Sequence, residues 1–210
     1  MSELRQRGQV YTRPDRLSFR ENISPASFPR GDRRIHRKPP NRQNAAMPIT
    51  IRDATKADAA ALLTIYNDAV VHTTSVWTEE PRTLDGQQQW LEEKRLSGKP
   101  VLVAEENGMV IGFCSYGPFR AWPGYRHTVE NMIYVAPDHR GKGVGTQLLG
   151  PLIERARAQQ LHAIIAGIEA ANTVSLKLHE KHGFVHMGQL KEVGTKFGRW
   201  LDLVFLEKLL

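Results

Sequence analysis

The chain has 210 residues, 40% of them hydrophobic, which suffices to bury the core of one domain. Its net charge of +7 comes entirely from residues 1–46, which hold 11 Arg and Lys against 4 Asp and Glu, because residues 47–210 hold 18 of each. A neutral folded part argues against nucleic acid as a partner, and the lack of any run of about 18 apolar residues argues against a membrane-spanning chain.

Residues 1–46 are rich in Arg, Pro, Ser and Asn and show no apolar periodicity. Such a segment buries too little surface to offset its chain entropy, so we predict a disordered basic extension followed by a domain at 47–210. No apolar core follows the charges, which argues against a secretory signal. Two explanations of the extension remain open: a targeting or RNA-binding arm, or a leader outside a working protein that starts at Met47.

Cys114 is the single cysteine, so neither an intrachain disulfide nor a cysteine-based zinc site is expected. We predict that the protein holds no metal, and a reducing cytoplasm suits this composition. The apolar run VIGFCSYG around Cys114 favours a buried thiol over a nucleophile.

In chain order, the first half of the domain predicts two helices between strands. ITIRDA is typical of a first strand, and apolar residues at helical spacing predict helices over 55–73 and 83–99. Asn107-Gly108 between two β-rich runs predicts a hairpin of antiparallel strands.

The second half predicts strands at 127–137 and 161–169, a helix over 171–184, and two strands within 194–210. Alternation along the first of these places Thr128, Glu130, Met132 and Tyr134 on one face and Val129, Asn131, Ile133 and Val135 on the other. An apolar helix follows the stretch HRGKGVGTQLL.

That glycine-rich stretch predicts a site for an anion. A strand, a bare turn and a helix start present unpaired backbone N–H groups, and Arg140 and Lys142 add charge. Gly141, Gly143 and Gly145 allow a diphosphate to approach the main chain. The spacing G-x-G-x-G fits neither the dinucleotide fingerprint G-x-G-x-x-G nor a P-loop.

The run from Arg140 to Gly145 resembles the R/Q-x-x-G-x-G/A signature of the GCN5-related N-acetyltransferases. The resemblance covers residues 48–210, and IYNDAVVHTTSVW, IEAANTVSLKLHEKHGF and VGTKFGRWLDLVFLEK look like the phosphinothricin and methionine sulfoximine N-acetyltransferase branch. It implies an α+β fold, a mixed, mostly antiparallel sheet flanked by helices, and a homodimer.

The resemblance also implies acetyl-CoA as co-substrate. A main-chain N–H within Ile133, Tyr134 and Val135 is then expected to bind the acetyl oxygen, and Asn172 the pantetheine arm, although Asn172 is equally suited to an ordinary helix N-cap. The residues expected to bind the pyrophosphate are Arg140, Gly141, Lys142, Gly143, Val144, Gly145 and Thr146.

Transfer to an amine requires a neutral nitrogen, so a positioned base helps. Glu130, just before the glycine loop, is the best candidate and matches the base of the branch, although a surface carboxylate on an alternating strand is the alternative. His179 occupies what looks like the position of a thiolate-protonating tyrosine in relatives. A histidine in the wall of the cofactor site is at least as consistent with the sequence.

For the acceptor, Arg120 and Trp122 are expected to bind a carboxylate and an aliphatic chain, with Arg126 sharing the first task. For Arg120 and Trp122, the alternatives are a solvated loop arginine and a core tryptophan. His72 and Trp77 are plausible pocket walls. In the branch, the segments that match Arg120, Ala121, Trp122, Thr128, Val129 and Glu130 line the substrate pocket.

The implied acceptors are methionine sulfoximine, methionine sulfone and phosphinothricin, and detoxification and amino-acid turnover both fit. Two other functions remain open. The first is acetylation of another amine, such as a peptide N-terminus, a polyamine or an antibiotic, and the second is that of a non-catalytic acyl-CoA sensor.

Overall fold

The computed structural model describes residues 48–210, so the predictions of a disordered extension and of a working start at Met47 lie outside the described residues. Residues 48–210 form seven strands and four α-helices. Within this range, no helix is long and apolar enough to cross a membrane.

All seven strands join one sheet, in the order β1-β2-β3-β4-β5-β7-β6. Every neighbouring pair within residues 48–210 is antiparallel except β4 and β5, which run parallel. The strands are β1 Thr50–Asp53, β2 Val101–Glu106, β3 Met109–Pro118, β4 Thr128–Val135, β5 Ala163–Glu169, β6 Val185–Lys196 and β7 Arg199–Leu209.

The helices are α1 Ala59–His72, α2 Leu84–Leu96, α3 Val144–Ala158 and α4 Thr173–Lys181. Two apolar clusters separate them into layers: α1 and α2 pack with Phe113 on one face of the sheet, and α3 packs with Cys114 on the other. Neighbouring residues of β3 thus point to opposite faces, as a strand requires. The predicted α+β class is confirmed.

Two predictions from short stretches of the sequence are confirmed, the turn at Asn107-Gly108 and the burial of Cys114. Asn107 and Gly108 both have positive φ angles, 52° and 76°, and form the turn between β2 and β3. Cys114 is fully buried, and burial raises the pKa of its thiol. It is a core residue.

The prediction for the end of the chain is incomplete. β6 begins at Val185, well before the predicted start at residue 194. Its register shifts between His186 and Gly188 and again between Leu190 and Gly194. Such bulges interrupt the alternation of apolar and polar residues from which a strand is predicted, so the first part of β6 carried no periodic signal.

Candidate active site

The parallel contact between β4 and β5 is short. The two strands pair only over Thr128–Glu130 and Ala163–Ile165. Beyond that point β4 stays paired with β3, and β5 with β7. The strands therefore part and leave a strand gap between residues 131–135 and 166–169. Backbone groups on the edge of β4 that faces this gap have no strand partner there, so they are free to bind an extended ligand.

Two cavities meet at the strand gap. The large cavity, of about 830 Å³, extends over the start of α3 and the side of α4. The small cavity, of about 310 Å³, lies between the parted strands. Both are lined by Ser75, Ile133, Tyr134, Glu169, Asn172 and Ser175. A group carried on a ligand in the large cavity would reach a second ligand in the small cavity at this junction.

The three loop glycines serve two different purposes. Gly141 and Gly143 have φ angles of 73° and 83°, in the left-handed region, and a Cβ on either would meet no atom within 4 Å. A Cβ on Gly145 would lie 3.0 Å from Leu178 of α4. The first two therefore leave room for a ligand at the start of α3, and Gly145 allows α3 and α4 to approach closely.

The ionisable lining of the large cavity is mainly cationic. Its charged side chains are Arg140, Lys177, Lys181 and Arg199 against Glu169, and His72 and His139 also line it. Together with the unpaired N–H groups at the start of α3, this lining suits a ligand with several negative charges. Of the loop residues predicted to bind pyrophosphate, Lys142 does not line the cavity, whereas Val144 and Thr146 do.

Arg140 connects the loop to its surroundings. Its Nε donates to the carbonyl of Val135 at 3.0 Å, and its guanidinium pairs with Asp68 of α1. Asp68 also lies 3.0 Å from Nδ1 of His72. Arg140 therefore fixes the loop to β4 and α1 as well as contributing charge.

Glu130 lies in the small cavity, where β4 and β5 part. No hydrogen bond within residues 48–210 involves its carboxylate. Burial raises the pKa of Glu130, and the charge of Arg120 opposes that shift. One carboxylate oxygen lies 2.7 Å from the position that a Cβ on Gly167 would occupy. The missing side chain at Gly167 leaves the space that this carboxylate uses.

His179 is 3% exposed and both of its ring nitrogens have partners. Nδ1 lies 2.8 Å from the carbonyl oxygen of Ser175, which only accepts, so Nδ1 carries the proton. Nε2 then accepts from the side-chain amide of Asn131 at 2.9 Å. Burial lowers the pKa of His179 to about 4, so the ring is neutral at neutral pH. This geometry favours a structural histidine in the cavity wall over a general acid.

Asn172 caps α4, because its side-chain oxygen accepts from the N–H of Ser175 at 3.1 Å. It also lines both cavities, so the two roles expected for it are compatible. Glu169, beside it, accepts from Thr74 Oγ1 at 3.1 Å. Sequence reasoning missed Glu169, Ser75 and Gly167. Only Gly167, an isolated glycine inside a strand, carried a signal of close approach.

Of the residues predicted to recognise the acceptor, Glu130 lines the small cavity and the others line neither cavity. Arg120, Ala121 and Trp122 follow β3 at the rim, and none of the three lines either cavity. Trp122 is 77% exposed, whereas Val129 is buried in the core, where its side chain is unavailable to a ligand. Thr128 and Arg126 line neither cavity.

Of the two suggested pocket walls, His72 lines the large cavity. Trp77 lines neither cavity and instead packs against Gly194 of β6.

The mixed sheet, its strand gap and the glycine loop at the start of α3 define the class of protein as an acyltransferase. The family follows from the sequence. The model of the Acetyltransferase (GNAT) family matches residues 62–184, and the chain belongs to that family.

Similar proteins include an L-methionine sulfoximine/L-methionine sulfone acetyltransferase of Pseudomonas aeruginosa, 51% identical over 77% of this chain and 94% of the relative. An acetyltransferase structure from Salmonella typhimurium with its cofactor acetyl-CoA is 48% identical, with a TM-score of 0.76 over 77% of this chain and 93% of that one. A ribosomal-protein-alanine N-acetyltransferase structure from Brucella melitensis is 53% identical, with a TM-score of 0.76 over 77% of this chain and 99% of that one.

Gly167→Ala is expected to push the Glu130 carboxylate out of its position, because the new methyl group would overlap it. If Glu130 is the predicted base, we expect acetyl transfer to fall at least ~10-fold, since misplacement of a reacting group by about 1 Å can cost a hundredfold in rate. Gly188→Ala on β6 is the matched control, because a Cβ there meets nothing within 4 Å. Equal rates for the two variants would show that Gly167 does not make room for Glu130.

The low pKa of His179 predicts a pH-dependent stability. The unfolded ring takes up a proton near pH 6.5 and the folded ring only near pH 4, so the folded state loses stability as the pH falls through this window. The shift corresponds to about 3 kcal/mol in the free energy of unfolding. Urea unfolding at pH 7 and pH 4 should show this loss in the wild type and not in His179→Gln; the same loss in both would contradict it.

Proposed function

We propose that the chain transfers the acetyl group of acetyl-CoA to the α-amine of a small amino acid or amino-acid analogue. The observation that carries this proposal is the strand gap, because it joins a cationic large cavity to a small cavity that holds the carboxylate of Glu130. The similarity to a methionine sulfoximine and sulfone acetyltransferase supports this class of acceptor.

The residues of the large cavity fit coenzyme A. A diphosphate would be held by the N–H groups at the start of α3, next to Gly141 and Gly143, which leave the main chain bare. The surrounding cationic side chains suit the charge of the nucleotide part. The unpaired edge of β4 provides main-chain groups for the pantetheine arm, and Asn172 lies at the same junction.

In direct transfer, the acceptor nitrogen attacks the thioester carbonyl, a C–N bond forms and the C–S bond breaks. Glu130 accepts the proton of the amine, either directly or through one water. Its raised pKa makes it a stronger base than an exposed glutamate. A main-chain N–H within Ile133, Tyr134 and Val135 donates to the acetyl oxygen as negative charge develops there. Solvent protonates the departing thiolate, since His179 has no free proton to donate.

Recognition of the acceptor rests on the positive charge of Arg120. Arg120 acts electrostatically on Glu130 and stacks on Phe119, with its guanidinium carbon 4.3 Å from the ring centre. A guanidinium whose charge acts on the base suits an acceptor that carries a carboxylate next to its amine. A polyamine would instead favour a ring of carboxylates.

The proposed assembly is a homodimer. β6 is an edge strand of 12 residues, and apolar side chains along it are exposed, namely Val185, Met187, Leu190 and Val193. A long apolar edge favours pairing with another copy. A cytoplasmic location is part of the same proposal.

Thiol release from acetyl-CoA, measured over a panel of acceptors, tests the function. The panel contains methionine sulfoximine, methionine sulfone, phosphinothricin, ordinary amino acids, a polyamine and a peptide with an N-terminal alanine. We expect turnover of the amino acids and their analogues. Turnover of the peptide alone would favour the alternative suggested by the ribosomal-protein-alanine relative, and coenzyme A binding without turnover would favour a sensor.

Glu130→Gln should lower kcat about a hundredfold, the lower end of what a general base contributes, because the amide cannot take a proton. The dissociation constant of coenzyme A should change little, since Glu130 does not line the large cavity. Glu207→Gln, on the same sheet and lining neither cavity, is the matched control. A normal kcat for Glu130→Gln would remove Glu130 as the base.

A further inference from the structure

The buried ammonium group of Lys196 is not explained by the proposed reaction. Lys196 ends β6, lies within the stretch VGTKFGRWLD and is 1% exposed. Its Nζ donates to the carbonyls of Val70, Thr73 and Val76 at 2.6, 2.7 and 2.6 Å. Three acceptors match the three protons of an ammonium group, so the charge is buried with all its donors satisfied.

The three carbonyls belong to the end of α1 and to the segment that follows it. Val70 lies in the last turn of α1, where backbone carbonyls lack helical partners and the helix dipole favours a cation. Thr73 and Val76 begin and end the next four residues. Lys196 therefore caps the C-terminal end of α1 and fixes the path of residues 73–76. We call these three hydrogen bonds the Lys196 clamp.

Further contacts attach the same segment to the β6–β7 hairpin. Trp77 packs against Gly194, where a Cβ would lie 2.2 Å from the indole ring, and its Nε1 donates to the carbonyl of Thr74 at 3.0 Å. Glu79 accepts from the N–H of Phe197 at 2.9 Å. The segment and the hairpin thus form one wall.

That wall faces the junction of the two cavities. Ser75 lines both cavities, and Thr74 donates to Glu169, which also lines both. Phe197 lines the large cavity from the hairpin side. We infer that Lys196 is a positioning residue, which holds residues 73–76 so that Ser75 and Thr74 shape the place where the acceptor meets the acyl donor. This inference rests on the proposed function.

Lys196→Met tests the clamp, because methionine fills the space and donates no hydrogen bond. The rate of amide hydrogen exchange at residues 73–77 of the folded protein should rise at least ~10-fold, since the segment opens more easily. KM for methionine sulfone should also rise at least ~10-fold, a loss of about 1.4 kcal/mol in acceptor binding. The dissociation constant of coenzyme A should rise less than this KM, because the start of α3 is untouched, although Thr73, Thr74 and Ser75 also line the large cavity.

Lys94→Met is the matched control. Lys94 is also a buried lysine, its Nζ donates to the carbonyl of Tyr116 at 2.6 Å, and it lines neither cavity. It should lower the melting temperature without changing exchange of residues 73–77 or KM for the acceptor. Equal changes of both quantities in the two methionine variants would overturn the inference, as would unchanged values in Lys196→Met.

Lys196→Arg keeps the test decisive if Lys196→Met does not fold. Arginine retains the charge, but a planar guanidinium cannot direct three donors to the same three carbonyls. We expect smaller changes in the same direction, and wild-type exchange together with wild-type KM would overturn the inference. Exchange does not depend on turnover, so a wild-type protein that transfers no acetyl group would refute the proposed function while exchange still decides the clamp.

Discussion

The site depends on one constraint, the early end of the pairing between β4 and β5. Each strand is held on its outer edge by an antiparallel neighbour, so the two cannot rejoin after Glu130 and Ile165. The sheet therefore carries an opening through its middle without losing its core. Unpaired main-chain groups are costly when buried alone, and we propose that here they bind the ligand.

The elements around the opening present opposite charges to the two cavities. The start of α3 and the side of α4 present N–H groups and cations to one cavity, and the strand gap presents a half-buried carboxylate to the other. The proposed anion binding and the proposed proton abstraction need opposite charges, and the two cavities present them separately. The end of α1, held by Lys196 and by the ion pair between Asp68 and Arg140, borders this arrangement.

The sequence predicted the parts of the fold that local chemistry determines, among them the turn at Asn107 and Gly108, the helix after the glycine loop and the cap at Asn172. It could not predict where β4 and β5 part, because that depends on pairing between strands distant in the chain. For the same reason it gave Gly167 no role, although the space above that glycine accommodates Glu130. The placement of Trp122 on the surface is likewise a property of the folded chain.

A crystal structure with coenzyme A and methionine sulfone bound together would test the central claim most directly. The account predicts the pantetheine arm in the strand gap, the pyrophosphate at the start of α3, and the α-amine within hydrogen-bond reach of Glu130 or of one water bound to it. A pantetheine arm outside the gap, or an amine turned away from Glu130 with no bridging water, would contradict it.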